Sequence, residues 1–389
     1  MKISNLILSL IPTLIVAALL PGCETNSPYD SIERRGKDLA TDTKDSNLSV
    51  DSIYVDGAMT SLSGHWILRD SSLYFFDKYS VGLKAFSLDG RFLYERIKEG
   101  RGPDEMLSPA WCVALDGENG NFIVHGNENE LSSIDRHYVV KPITRTWCTS
   151  ISPKFGKKDW VDLYEHPDPA VPQMYEYNFV CNRIAVHGNR IIIPVITEHV
   201  SYNGYEKNTK DFWKNSRIFL SFDMDDLQGT CKIFGRYPPV YRHSNIPVFA
   251  AYDFAIAGDE IYVTFAADPR IYVLDMDGKP LYSFGKASDR ISGRYPTTHS
   301  FSQYEKEREK TLGKHGYYSR IFVSGDTVLR TCHTDDGEWI LQHYTGSDYA
   351  GSFRTGLPLE ILGKIGDCYY AFARVDVENE RFVFVKFKI

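Results

Sequence analysis

The chain has 389 residues, of which 43% are hydrophobic and 14% aromatic, with 25 Tyr, 22 Phe and a formal net charge of -7. This acidic balance, with no block of Lys and Arg in the body of the chain, argues against a nucleic-acid partner, because phosphate binding needs a basic surface. The length supports a large core without covalent staples, and aromatic and β-branched runs without a long 3.6-residue period mark the chain as all-β.

Residues 1–22 open with Lys2, continue as an uncharged apolar run over 3–20, and end in small residues. This is the order of a secretory signal. A run of about 18 apolar residues is also just long enough to span a bilayer, which is the alternative. The tetrapeptide Leu20-Pro21-Gly22-Cys23 resembles the lipobox of bacterial lipoproteins. That resemblance implies acylation of Cys23 and a membrane attachment through the N-terminal lipid, with Glu24 favouring the outer membrane. The polar stretch 23–47, poor in apolar periodicity, reads as a tether, and 48–389 as the folded domain.

The domain is built from a repeated unit that is clearest at 252–284. There, strands at 252–257, 260–265, 270–275 and 280–284 are separated by Gly258-Asp259, Ala267-Asp268-Pro269 and Asp277-Gly278. Short β-rich runs joined by such turns predict a four-stranded antiparallel meander, one blade of a β-propeller. The same pattern predicts blade one at 66–70, 73–77, 83–88 and 91–97. Blade two follows at 111–115, 122–125, 131–135 and a last strand within 138–147, where Pro142 implies an edge. Blade three is placed at 179–186, 190–196, 217–222 and 231–234, and blade five at 318–324, 327–332, 339–344 and 349–354. Blade six begins at 359 and supplies only three strands, ending at 368–373 and 382–387. The fourth is assigned to 48–55, LSVDSIYV, which pairs with the C-terminal strands and closes a six-bladed ring.

Outer strands are followed by a glycine and a base, as in Gly100-Arg101, Gly235-Arg236 and Gly285-Lys286. The run Lys98-Glu99-Gly100-Arg101-Gly102-Pro103-Asp104-Glu105, behind a lipoprotein signal, resembles the TolB-like or NHL-like six-bladed propeller lipoproteins of bacteria. The resemblance implies the fold and the anchor but carries no activity.

In a propeller, the loop between the second and third strands of a blade emerges on the same rim as the connection to the next blade. The long connections at 150–178, 197–216 and 286–316 therefore share one rim, while tight turns occupy the other. Loops of this length are uncommon unless functional or disordered. They carry Trp160, Tyr164, His166, Tyr175, Tyr177, Tyr202, Tyr205 and Trp213, flat side chains suited to a sugar ring or a protein hot spot, or alternatively to packing the loops themselves onto the rim. Tyr252, Asp253 and Arg270 sit near strand starts on that rim, and His243 in the loop before blade four. Arg101 and Glu105 are placed near the channel mouth, Arg101 to hold an anion, or alternatively Glu105 to accept backbone N–H groups or to pair with Arg101 and lock blade one to blade two. The stretch 302–313 reads as a polar, solvated cover helix.

Asp159, Asp162, Glu165 and His166 are metal-ligand types but form no recognised calcium loop. The seven cysteines show no C-x-x-C pair and read as plain buried residues rather than a metal site, with pairing as the alternative. These features predict a lipid-anchored envelope propeller without a cofactor that binds a protein or glycan through the elaborated rim. The alternative is a propeller enzyme of the metal-dependent lactonase or polysaccharide-lyase kind, since the fold hosts both.

Overall fold

The computed structural model describes residues 27–40, 45–127, 130–144, 157–178, 180–181, 183–197, 199–206 and 210–389, with only the backbone described for 157–160, 210 and 228. The architecture is a six-bladed β-propeller of small, mostly antiparallel four-stranded sheets. Blade one is Gly64–Arg69, Ser72–Asp77, Leu83–Ser87 and Phe92–Arg96, and blade two is Ala110–Leu115, Phe122–Gly126, Leu131–Ile134 and Val140–Thr144. Blade three is Ala185–His187, Arg190–Ile196, Phe219–Asp223 and Lys232–Phe234; blade four is Tyr252–Ala257, Glu260–Phe265, Ile271–Asp275 and Pro280–Phe284. Tyr317–Ser324, Thr327–His333, Trp339–Thr345 and Asp348–Arg354 form blade five. Blade six takes Glu360–Ile365, Cys368–Asp376 and Arg381–Phe387 from the end of the chain and Val50–Val55 from its beginning.

Successive residues of a strand point to opposite faces, and both faces of each blade are buried against neighbours. In Ser72–Asp77, Leu73 and Phe75 pack back onto Trp66, Phe382 and Phe384 at the junction with blade six. Tyr74 and Phe76 point forward onto Phe122 and Val124 of blade two and Met106 of the connection before it. Equivalent apolar layers fill the other four junctions. Burial on both faces is why SLYFFD reads as a continuous apolar run rather than an alternating one.

Three sequence expectations are corrected. The inner strand of blade three is short: Asn178 Oδ1 accepts from the amides of Val180 and Cys181 at 3.0 and 3.3 Å, a local turn that competes with the ladder. Its outer strand starts at Lys232 because 227–230 is a helical turn capped by Asp226. The segment read as a tether is also paired along much of its described length. Glu33–Arg34 run parallel to Tyr282 and Ser283 on the outer edge of blade four, Asp38 bridges to Tyr349, and Ser46–Asn47 run parallel to Phe353 and Arg354 of blade five. The chain thus covers two otherwise open sheet edges before it closes the ring.

Candidate functional site

The elaborated rim holds a cavity of about 190 Å³. Its walls come from the connection inside blade three (Thr197, Gly204, Tyr205, Phe212 and Trp213), the link from blade three to four (Tyr237, Val248 and Ala251), and the helix Phe301–Leu312. That helix starts at Ser300, whose Oγ accepts from the Gln303 amide at 3.2 Å, the local interaction expected of a serine N-cap. Tyr304, Arg308 and Leu312, four residues apart on one helical face, all line the cavity. The helix is therefore a wall of the site, correcting its reading as a solvated cover. The spacing was the available signal, masked by polar neighbours.

Asn245 pins the loops together. Its Oδ1 accepts from Trp213 Nε1 at 2.9 Å, and its Nδ2 donates to the carbonyls of Thr298 and Glu206 at 2.7 and 3.3 Å. Tyr205 packs against Phe301 edge-on and against Tyr304 at a tilt, with centroids 5.1 and 4.7 Å away. Tyr164 meets His199 at 5.7 Å, joining the first long loop to the second. Burial pushes the phenols of Tyr237 and Tyr317 up, so both stay neutral. Arg308 is the charged wall residue; its Nη1 lies 2.7 Å from Glu309 Oε1 at the surface.

A second concavity, about 350 Å³, runs along the axis between the inner strands of all six blades. Near its mouth, Asp253 Oδ1 lies 3.5 Å from Arg183 Nε and 3.7 Å from Arg320 Nη1, while Oδ2 accepts from the Ile321 amide at 2.9 Å. Arg183 Nη1 also donates to the carbonyls of Phe254 and Ile321 at 2.9 and 3.3 Å, and Arg320 to that of Cys181 at 3.2 Å. Burial raises the Glu360 carboxyl, but Arg320, Arg183 and His65 outweigh it and hold the carboxyl below its ordinary range. His65 is pushed down to about 4, mainly by burial, with Glu360 opposing. Asp253 thus draws Arg183 and Arg320 together across blades three, four and five, and Glu360 of blade six feels both charges. Arg183, Arg320, Glu360 and His65 were not singled out in the sequence, where each is one charge within an ordinary strand or its approach. Among the described residues, no three His, Cys, Asp or Glu side chains gather as a metal site.

The predicted site residues part company. Trp213 lines the rim cavity although it is only 2% exposed. Tyr175 and Tyr252 are buried and instead brace the loops: Tyr175 Oη donates to the Pro169 carbonyl at 2.8 Å, and Tyr252 Oη to that of Ile218 at 2.5 Å. Tyr202 packs on Phe212 and donates to the Asp211 carbonyl at 3.3 Å. Arg270 lies 3.6 Å from Asp268 in a turn of blade four. Asp253 is buried beside the channel, paired with Arg183, which lines it.

Arg101 and Glu105 are not at the channel mouth. Their loop is held at the perimeter, where the Val140 amide of blade two's outermost strand donates to the Pro103 carbonyl at 2.7 Å. Glu105 accepts the Gly102 amide at 2.6 Å, while Arg101 points to solvent. Gly100 sits at φ 151°, a backbone conformation that L side chains rarely adopt. The side chain of Trp160, which falls in the helix Lys157–Glu165, and the whole of Cys23 lie outside the described residues. Of the cysteines, 112, 181, 231, 332 and 368 are free thiols.

No family model matches the chain, and no curated protein sequence matches it. Among solved structures it is similar to a member of the DUF4221 family from Bacteroides vulgatus, with a TM-score of 0.63 and 13% identity, covering 89% of this chain and 99% of that one. A protein from Bacteroides fragilis named as exported aligns with a TM-score of 0.46 and 12% identity over 92% of this chain and 99% of its own. At 13% identity the first likeness speaks to architecture alone, and that architecture is the six-bladed propeller traced above.

Proposed function

We propose that this chain is a lipid-anchored binding propeller of the bacterial envelope, which presents its elaborated rim to a protein partner and seats one apolar or aromatic side chain of that partner in the rim cavity. The observation that carries this reading is the convergence of separate long connections, pinned through Asn245, into one aromatic-walled cavity. At about 190 Å³ the cavity is smaller than the roughly 300–1,000 Å³ of pockets that take drug-sized ligands. It suits a single anchoring group, as in the pockets that receive interface hot spots.

A glycan is the weaker reading. Every buried sugar hydroxyl needs a hydrogen-bond partner, and most of this wall is carbon. Attachment through Cys23 and membership of the TolB-like or NHL-like lipoproteins are the finer parts of the proposal, resting on the lipobox and on the run 98–105. Within the described residues, no helix is long and apolar enough to cross a membrane.

The test is capture from an envelope extract by the full-length protein, beside a glycan array, for the native chain and for Tyr304→Ala and Arg308→Ala. A protein captured by the native chain and lost at least tenfold with Tyr304→Ala, at an unchanged melting temperature, is the expected result. Capture indifferent to both substitutions, or array binding without protein capture, overturns it. Acylation is checked by incorporation of labelled palmitate, which Cys23→Ser must abolish.

A further inference from the structure

A third concavity lies where the start of the chain joins the fold. Ser27 and Tyr29 are buried at the junction of blades three and four, and the Tyr29 ring packs on Tyr272 with centroids 4.7 Å apart. Beside them is an open cleft of about 500 Å³, lined by Tyr29, Arg217, Gly235, Arg236 and Lys279. Arg217 precedes the third strand of blade three and Arg236 follows its fourth, so the fold brings both to the same end of the blade. Arg242, from the short helix Val240–His243, is not among the lining residues, but its charge is felt at Tyr29 and Arg236. All three bear on the Tyr29 hydroxyl: burial pushes its pKa up to about 12, while the charges of Arg236, Arg242 and Arg217 pull the other way.

Among the described residues none of these three guanidinium groups has a carboxylate partner. Nε of Arg217 and both Nε and Nη2 of Arg242 are shut off from water with no hydrogen-bond acceptor. The acid in the cleft wall, Asp277, is already engaged, 3.0 Å from Lys232 and 3.6 Å from Arg190. Burial lowers the pKa of Arg236, and repulsion from Arg217 and Arg242 lowers it further. In a chain of net charge -7 this is no general excess of base. Crowded like charges are costly, and a multiply charged oxyanion in the cleft relieves that repulsion through Arg217 and Arg236, which line it, since guanidinium groups bind phosphate oxygens bidentately.

We propose that this cleft is a binding site for a phosphate-class oxyanion, gripped by Arg217 and Arg236 with the charge of Arg242 behind them. The phosphate is either free or part of a lipid headgroup. Cys23 is only four residues before Ser27, at most about 14 Å of extended chain. If Cys23 is acylated, as in the function proposed above, the cleft stays close to a surface dense in headgroup phosphate.

The experiment follows the melting temperature of the full-length protein during titration with inorganic phosphate, against chloride at equal ionic strength, and with phosphatidylglycerol vesicles against phosphatidylcholine vesicles. The native chain is expected to show a saturable rise of several degrees that is weakened at least tenfold in apparent affinity by Arg236→Gln and by Arg217→Gln. Without anion, either variant melts at or above the native temperature, because repulsion is relieved; a purely structural arginine would lower it. A response to phosphate assigns the free ion, and one specific to phosphatidylglycerol assigns the headgroup. Tyr304→Ala leaves the response intact, which separates this site from the rim cavity. A phosphate response no greater than chloride with no vesicle preference, or a response equal in native and arginine variants, overturns the proposal.

Discussion

The closing strand Val50–Val55 lends itself to a quantitative test. Most of its side chains face solvent, and only Val55 is fully buried, opposite Phe382 and within the layer that holds Trp66, Phe75 and Phe384. Trp66 meets Phe382 and Phe384 edge-on at 4.9 and 4.7 Å, so the layer is tightly packed and collapses poorly around a void. Val55→Ala removes two methyl groups at about 0.5–1.5 kcal/mol each, or roughly 1–3 kcal/mol in all. At about 2 °C per kcal/mol for a domain of this size, the melting temperature should fall by roughly 2–6 °C. Ser52→Ala, exposed on the same strand, should stay within about 0.5 kcal/mol of the native chain. Denaturant midpoints for the three proteins measure the difference. If Val55→Ala and Ser52→Ala coincide, the strand does not seal the core and closure by the start of the chain is refuted.

Other expectations follow from single groups. His65 has a folded pKa of about 4 against an ordinary 6.5, lowered mainly by burial. The unfolded chain therefore binds the extra proton first, and stability falls as the pH drops from about 6.5 to 4. His65→Gln should flatten that interval in denaturant midpoints while leaving the loss below about pH 4.5 that belongs to Glu360; an unchanged slope would exonerate the histidine. Gly90 has φ 90°, and a Cβ there would lie 2.1 Å from the Tyr54 carbonyl of the closing strand, whereas Gly188, at φ 57°, faces open space to 3.8 Å. Gly188→Ala should cost about the 1–3 kcal/mol of a strained backbone alone, and Gly90→Ala more; equal calorimetric losses would rule out the clash. Burial pushes the thiols of Cys112 and Cys332 up to about 11 and 12. A thiol reagent at pH 8 should reach them only after unfolding, and rapid labelling of the native chain would contradict their placement.

Much of the ring was legible because a blade is a local object. The turn at Asp277-Gly278 and the apolar runs on either side lie within a few residues of one another, so the meander can be read without knowing its neighbours. The closing strand was legible for the same reason, since 48–55 had strand character and the last blade lacked a fourth member. The pairing of Glu33–Arg34 and Ser46–Asn47 was not, because it uses backbone groups on exposed sheet edges and leaves no periodicity in the side chains.

The sequence by itself determined the all-β class, the blade repeat and the side of the ring on which the long connections lie, since these follow from strand period, turn chemistry and loop length. Tertiary structure alone decided which aromatics face a cavity and which brace a loop. It also decided that Arg183, Asp253, Arg320 and Glu360 meet at one axis. Radial closure sets side by side residues that are far apart along the chain, and the field and burial at each of them are set by neighbours that no local stretch contains.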